Sequence, residues 1–518
     1  MRYKIMLVGD ILRRNARIYR KKVALIDGDK SFDYEEVNRR TNQLANALRL
    51  LGLKKQDRVA VMANNCHQLA EVCFAVAKAG FVVVPVNTRL SAEEVRYIIN
   101  HSDSIALIYQ ADFKEIIEKI EGSIPNVNYL ISIGGAVNET HRYEPLIMSA
   151  SDNEPEEEIS PDELSMIMYT SGATGIPKGV LITHHNIMAN NNTMTHELRI
   201  VPEDINLLVM PIYHIGGFWP LMTHFYRGST TILLPHFDVD RLLEIIEKEK
   251  VTFLNLVPTT LIRLVSHPHI SNYNLESLRL IMYASAPIAM TKLKKAMKIL
   301  GPHRFYTGLG ATEASGSLIS FPTTEHALEG PLSEKLGTVG RDSIGVEIRI
   351  VDDSGAELPL GEVGEIIAKG ENIARGYLKM PKETAETFRG DWLYTGDLGF
   401  RDEGGYIFIT DRKKDIIISG GENISSQEVE QVIYQSPYVE EVAAIGVPDE
   451  EWGEAVKVVI KLKPDYKGKI TEGDVIEFCK GKLAGFKKPK SVEFVDELPK
   501  NPVGKILKKE LVERYGNK

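Results

Sequence analysis

The sequence predicts an α/β protein with parallel sheets covered by helices, followed by a small antiparallel unit and a compact α+β tail. Three observations carry this. Short apolar runs alternate with amphipathic helical patterns from Lys22 to Tyr283. From Gly337 to Phe408 the strands shorten and glycines mark the turns, as Gly355, Gly361, Gly364 and Gly370 do, which reads as a small antiparallel barrel or sheet. From about Asp415 to Lys518 a dense α+β pattern rich in lysine takes over. At 518 residues the chain exceeds one ordinary domain and can bury a large core.

Taken in order, Lys22–Ile26 reads as a strand and Phe32–Leu51 as an amphipathic helix with Leu44, Leu48 and Leu51 on one face. Arg58–Met62 is the next strand. A small-residue helix follows, then the strand Phe81–Val86. Ser91 and Glu94 form a capping box that opens another helix, and Ile105–Tyr109 is again a strand. Asp152–Glu158 is acidic, contains Pro155 and reads as a solvated connector. Beyond it come the strand Leu164–Met168, the helix Val239–Glu249 and the strands Phe253–Val257 and Leu278–Tyr283. The tail carries helices at Ser426–Gln435 and Gly473–Gly481 flanking a strand pair, Val439–Val447 and Ala455–Leu462. There is no internal repeat and no low-complexity tract.

Hydrophobic residues make up 43% and charged residues 26%, ordinary values for a globular protein. A net charge of −9 with no dense basic stripe argues against nucleic acid as a partner. Three cysteines, Cys66, Cys73 and Cys479, fit neither a disulfide framework nor a zinc site, and a reducing, cytoplasmic compartment is expected. The apolar patch near Met1 is too short for a signal peptide. The most apolar region, Leu69–Val86, is interrupted by Glu71 and Lys78 and is no membrane span. Oligomeric state is not legible, and a homo-oligomer stays open.

The stretch around which the rest is organised is Tyr169-Thr170-Ser171-Gly172-Ala173-Thr174-Gly175-Ile176-Pro177-Lys178-Gly179. Glycines let backbone N–H groups approach a polyphosphate, hydroxyls donate to phosphate oxygens, and Lys178 adds a mobile positive charge. It is not a Walker A loop, because Gly172 and Gly175 are too close and Pro177 separates Gly175 from Lys178. Taken alone it is equally a surface turn. The order of residues decides: the run resembles the signature loop of the adenylate-forming superfamily, whose members include acyl-CoA synthetases, luciferases and peptide-synthetase adenylation domains. Ala173 departs from the pattern, where many members carry a hydroxyl.

Further motifs follow in the family's order. Tyr306-Thr307-Gly308-Leu309-Gly310-Ala311-Thr312-Glu313 resembles the Y-G-x-T-E motif, with Leu309 where the family has an aromatic ring. Read by itself, it is a helix N-terminus with Thr312 as cap. Ala284-Ser285-Ala286-Pro287 loosely matches a turn that lines adenine. Tyr394-Thr395-Gly396-Asp397 matches Y-x-T-G-D, whose aspartate binds the ribose. Asp411-Arg412-Lys413-Lys414 falls where composition changes. By resemblance Arg412 contacts the ribose, Lys414 is the hinge, and Gly420 and Gly421 line the pantetheine path. Pro499–Lys505 fits the final P-x-x-x-x-G-K motif, whose lysine touches the carboxylate and the α-phosphate. Pro211–Trp219 resembles the aromatic acyl-pocket segment, with Gly216 and Gly217 leaving room, Phe218 and Trp219 making it apolar, and His214 gating the passage to CoA.

The resemblance covers nearly the whole chain and implies two α/β subdomains plus a small β-barrel in residues 1–410, a hinge at 411–414 and a mobile α+β domain at 415–518. It implies an AMP-forming acyl-CoA ligase using ATP, Mg²⁺ and CoA. Thr170, Ser171, Gly172, Ala173, Thr174, Gly175 and Lys178 would hold phosphates. Ser285, Ala286, Thr307, Gly308, Leu309, Asp397 and Arg412 would hold the nucleoside. Thr312 and Glu313 would act at the metal-bound phosphates, with Glu313 on Mg²⁺, and Lys505 would bridge carboxylate and α-phosphate. The expected acid is hydrophobic, fatty or aryl/cyclic. Three other readings stand beside it. A stand-alone adenylation enzyme loading a carrier protein is opposed by Tyr213-His214 where amino-acid-activating modules use an aspartate. A luciferase-like oxygenase is rare in this fold. A non-catalytic nucleotide- or CoA-binding protein is opposed by the presence of both Glu313 and Lys505.

Overall fold

The computed structural model describes residues 6–135, 141–170, 176–286, 288–419, 422–449, 452–501 and 504–516. The alternating pattern builds two sheets. In the first, seven strands run in the order His141–Arg142, Tyr129–Ile133, Ser104–Gln110, Arg58–Met62, Val82–Pro85, Leu164–Thr170, Lys178–Thr183, parallel throughout except for the last, antiparallel pair. In the second, a nine-stranded sheet, the parallel centre runs from Phe305–Ala311 through Leu280–Tyr283, Phe253–Leu256, Ile205–Leu208 and Thr230–Leu233 to Val23–Asp27, with antiparallel edges.

Val23–Asp27, first in sequence among these strands, joins the second sheet rather than the first. The antiparallel strand Lys30–Asp33 follows it, so Phe32 is in a strand and the expected helix begins only at Tyr34. The Asp33 carboxylate accepts the Glu36 N–H at 2.8 Å and sets that start.

The small-residue helix is His67–Lys78, and all of its residues are buried. A helix buried on every face belongs in a core between layers. Its two charges are buried with it and partnered. Arg40 pairs with Glu71 through two N–H···O bonds of 2.5 and 3.1 Å, and the Tyr143 hydroxyl donates to the same carboxylate at 2.7 Å. Lys78 Nζ donates to Asn38 and Asn42 at 2.5 and 2.6 Å, and burial pushes its pKa down to about 8. The acidic connector is solvated over most of its length, with Asp152, Asn153, Glu156 and Glu158 exposed, but it is tied down in the middle. Pro155 is buried, and Glu154 pairs with Arg13 at 3.1 Å and accepts from Asn38 at 2.7 Å. Removing one partner of a buried pair strands the other's charge. Arg40→Met is expected to cost about 3–5 kcal/mol of stability, read from the shift of the urea unfolding midpoint.

Val346–Val351, Gly364–Gly370, Phe388–Arg389, Trp392–Arg401 and Ile407–Arg412 form a five-stranded antiparallel sheet, the small barrel-like unit expected from the glycine spacing. The tail has its own sheet and core. Val439–Asp449 pairs antiparallel with Gly453–Leu462, and Ser426–Ile433 and Glu472–Phe478 contribute to the cluster around Ile417, Val429, Val458 and Val475. Among the described residues no helix is long and apolar enough to cross a membrane.

Candidate active site

The glycine-rich stretch joins an antiparallel hairpin. Thr170 ends one strand and faces Lys178, which opens the next. Ser171, Gly172, Ala173, Thr174 and Gly175 lie outside the described residues. Lys178 Nζ stands 4.8 Å from the centre of the Tyr377 ring, a cation–π distance. The Tyr377 hydroxyl donates to Glu313 Oε1 at 2.8 Å. Tyr377 is fixed through its backbone neighbours, since Leu378 N–H donates to Gly179 O at 2.8 Å and Ala374 N–H to Glu313 O at 2.8 Å. The lysine and the carboxylate, far apart in sequence, are thus brought together by a tyrosine that sequence reasoning missed. Arg375-Gly376-Tyr377 sits in a loop with neither a period nor a charge pattern to single it out.

Glu313 does not begin a helix. Thr312–Ala314 is one short 3₁₀ turn between Phe305–Ala311 and Gly316–Phe321, and Thr312 makes no capping bond there. The helix-cap alternative therefore falls. The pairing slips between Leu309 and Gly310, and glycine is required on both sides of Leu309. A Cβ on Gly308 would lie 2.1 Å from Ile319 O, and one on Gly310 would lie 2.5 Å from Gly316 O. Leu309 is half-buried and packs against the core of the barrel-like unit. The Thr307 hydroxyl donates to Tyr283 O at 2.6 Å, tying this strand to the one that ends at Ala284-Ser285-Ala286. Ser285 has φ +74°, a left-handed backbone that is unusual for serine and typical of turns kept for a purpose. Ala286 follows it in the same bend, and Pro287 is outside the described residues.

Asp397 and Arg412 lie on adjacent antiparallel strands and face each other in register. Arg412 Nε sits 2.9 Å from Asp397 Oδ1. Burial raises the Asp397 pKa, opposed by Arg412 and Lys505. Lys413 is stitched to the barrel-like unit, its N–H donating to Gly396 O at 2.8 Å and its Nζ pairing with Asp353 at 2.7 Å. Lys414 is the next residue. Its side chain is exposed, yet partial desolvation by the surrounding protein, with Arg412 and Lys178, lowers its pKa against the pull of Asp415 and Asp397.

Lys505 sits on a hairpin at the end of the tail. Lys500 and Ile506 form a β-bridge, and the Lys505 N–H donates to Asn501 Oδ1 at 2.8 Å. Gly504, at φ +80°, lets this hairpin approach the large domain, since a Cβ there would stand 3.2 Å from Thr259 Oγ1 at the start of helix Pro258–Val265. Lys505 is half-buried there, and its pKa falls to about 8. Burial is the main cause, Arg412 and Lys414 push the same way, and Asp397 and Asp415 push against them. Arg412, Lys414 and Lys505 thus lie near Asp397 and Asp415, and Lys178, which Tyr377 links to Glu313, is close enough to be felt by Lys414, so four cations share the region with three carboxylates. Such an arrangement asks for an anion. Gly420 and Gly421 are outside the described residues.

The acyl segment is partly as expected. His214 precedes helix Ile215–Arg227. Its Nε2 is buried with no hydrogen-bond partner among the described residues, and burial, with Arg89, lowers its pKa to about 4, so it is neutral at pH 7. Gly216 leaves room beside Met210, whose Cε would be 3.6 Å from an added Cβ. Gly217 does not, because its missing Cβ is already replaced by Pro211 O at 2.1 Å, and close backbone packing explains that glycine. Phe218 is buried in the core that holds Leu208, Ile212 and Leu221, away from Trp219. Trp219 alone of this pair joins the cluster of Met194, Phe253, Met282 and Tyr306. A helix turns consecutive side chains about 100° apart, so the two cannot share one face.

Among the described residues no group of three His, Cys, Asp or Glu could hold a metal ion. A lone carboxylate at Glu313 suits a Mg²⁺ carried in by phosphate oxygens, which takes one or two carboxylates from protein.

Comparison with known proteins adds the following. The family model described as "AMP-binding enzyme" matches residues 12–378, and "AMP-binding enzyme C-terminal domain" matches 428–505. Feruloyl-CoA synthase from an Amycolatopsis species is 34% identical over 97% of this chain and 98% of its own length. The long-chain-fatty-acid–CoA ligase FadD13 of Mycobacterium tuberculosis is 33% identical over 98% of both chains. A solved structure of the anthranilate CoA ligase AuaEII in complex with anthranoyl-AMP superposes with a TM-score of 0.90 at 28% identity, over 98% of this chain and 97% of that one.

Proposed function

Given a chain that belongs to the AMP-binding enzyme family and is an AMP-forming acid–thiol ligase working through an acyl-adenylate, we propose that it activates a hydrophobic carboxylic acid, fatty or aryl/cyclic, in a cleft between residues 1–410 and a mobile domain at 415–518. The observation that carries the reading is the convergence of Lys178, Arg412, Lys414 and Lys505. In the first step a carboxylate oxygen attacks the α-phosphorus of ATP. The new C–O–P link forms as the Pα–O bond to pyrophosphate breaks. Thr170, Ser171, Thr174 and Lys178 hold the leaving pyrophosphate, Asp397 and Arg412 the ribose, and Lys505 the charge on the transferring oxygens. Glu313, oriented by Tyr377, would hold Mg²⁺, which neutralises triphosphate charge. In the second step the small domain turns about Lys414, Lys505 withdraws, and the CoA sulfur attacks the acyl carbon past His214 and along Gly420 and Gly421. The C–S bond forms, the C–O bond to AMP breaks, and the thiol proton is lost.

The apolar cluster around Trp219, and the room beside Gly216, support a hydrophobic acid. Cys66, Cys73 and Cys479 are all unpaired, which supports a reducing compartment such as the cytoplasm.

Lys505 must be charged to act, and a depressed pKa means that it loses its proton above pH of about 8. Adenylation kcat/KM is therefore expected to fall as pH rises through about 8. Lys505→Arg should remove that limb while lowering the plateau, because arginine stays protonated.

The deciding assay is pyrophosphate release with Mg·ATP and a panel of fatty, aryl and amino acids, with and without CoA. CoA-dependent turnover on one acid class fixes the substrate class. Adenylate formation without any response to CoA would move the chain to carrier loading.

A further inference from the structure

One contact between the two domains lies outside the site described above. Lys292 is on helix Met290–Leu300 of the large domain. Its Nζ donates to Glu440 O at 3.1 Å and stands 5.3 Å from the centre of the Tyr434 ring, both in the small domain. Burial lowers the lysine's pKa, and the nearby carboxylates of Glu441 and Glu440 act in the opposite direction. Glu441 Oε1 pairs with Lys500 at 2.5 Å, while its Oε2 is buried without a partner. Lys500 is the first rung of the hairpin that presents Lys505. It bridges Ile506, and Leu507 N–H donates to Pro499 O at 2.9 Å beside it. The contacts thus run from Lys292 through Glu440 and Glu441 to Lys500 and on to Lys505.

We propose that Lys292 is a positioning residue for adenylation, a latch that seats the small domain with the Lys505 hairpin in the cleft and lets go when that domain turns. The proposal rests on the two-step reading above. Lys292 touches no reacting atom in this arrangement. It contributes a half-buried, charge-assisted hydrogen bond and a ring contact across the two domains, both of which a turn of the small domain would part. Only interactions that differ between two states can shift their balance. A turn about Lys414 carries Tyr434, Glu440 and Lys500 away from Lys292 together.

The test takes Lys292→Met, which keeps the aliphatic stem and removes the charge, and Lys292→Arg, which keeps the charge. Adenylate formation is expected to fall about tenfold in Lys292→Met, as loss of one charge-assisted hydrogen bond implies. Thioester formation from supplied acyl-adenylate should be unchanged or faster, and Lys292→Arg should behave as wild type. Tryptic cutting at Lys413 and Lys414 supplies a readout that needs no acid substrate, and it should quicken severalfold in Lys292→Met. Equal loss in both half-reactions would show a merely structural lysine and overturn the proposal. So would unchanged half-reactions with unchanged cutting. If wild type adenylates no acid yet cutting quickens in the variant, the latch stands and the ligase reading falls.

Discussion

Lys505→Ala is expected to slow adenylate formation by about two to three orders of magnitude and to leave thioester formation from supplied acyl-adenylate within about twofold of wild type. The asymmetry follows from placement. In the structure Lys505 is half-buried near Arg412, Asp397 and Lys414, the place where the proposed reading puts the α-phosphate. It reaches that spot from a hairpin that comes close to the large domain at Gly504, where a Cβ would stand 3.2 Å from Thr259 Oγ1. On the two-step reading proposed above, the domain that delivers Lys505 turns away before CoA acts, which leaves the lysine no part in the second step. Single-turnover rates of the two half-reactions, measured apart, decide it. Equal loss in both would refute the assigned role.

Lys414→Pro should do the opposite. Proline fixes φ, and a hinge absorbs its motion in a few torsions. Adenylation should survive, and the CoA step should fall about a hundredfold. Lys414→Ala separates torsion from charge. It removes one of the four converging cations but leaves the backbone free, so it should weaken ATP binding and spare domain motion. A CoA step untouched by proline would put the pivot elsewhere. Lys414 directly follows the residue stitched to Gly396 and Asp353 and lies in the turn that the Asp415 N–H closes on Arg412 O at 2.8 Å, a turn that the proposed pivot would have to rearrange.

Local pattern carried much of this architecture. Arg58–Met62, Val239–Glu249 and the Ser91 capping box lie where periodicity and cap chemistry put them. What pattern could not show is pairing at a distance. Nothing in Val23–Asp27 says that it will join a sheet whose other parallel strands begin at Ile205. Charge in the helix His67–Lys78 was legible as an interruption, but its burial was not, because the partners Arg40, Asn38 and Asn42 come from another helix. At the site, motif order located Glu313, Asp397 and Arg412, which the fold assembles with Lys178. Tyr377, which joins Glu313 to Lys178, is defined only by where its loop is held. Gly217 and Phe218 show the reverse error, residues assigned to a pocket by type that the helix turns to other work.

The surplus of positive charge in the cleft has a temporal side. Four cations share the region with three carboxylates, Asp397, Asp415 and Glu313. On the reading proposed above, a bound triphosphate would meet that excess charge and loss of pyrophosphate would uncover it again, just as Lys505 has finished its part. Nucleotide would then time the domain's movement, and raising ionic strength is expected to weaken that timing, because salt screens the repulsion.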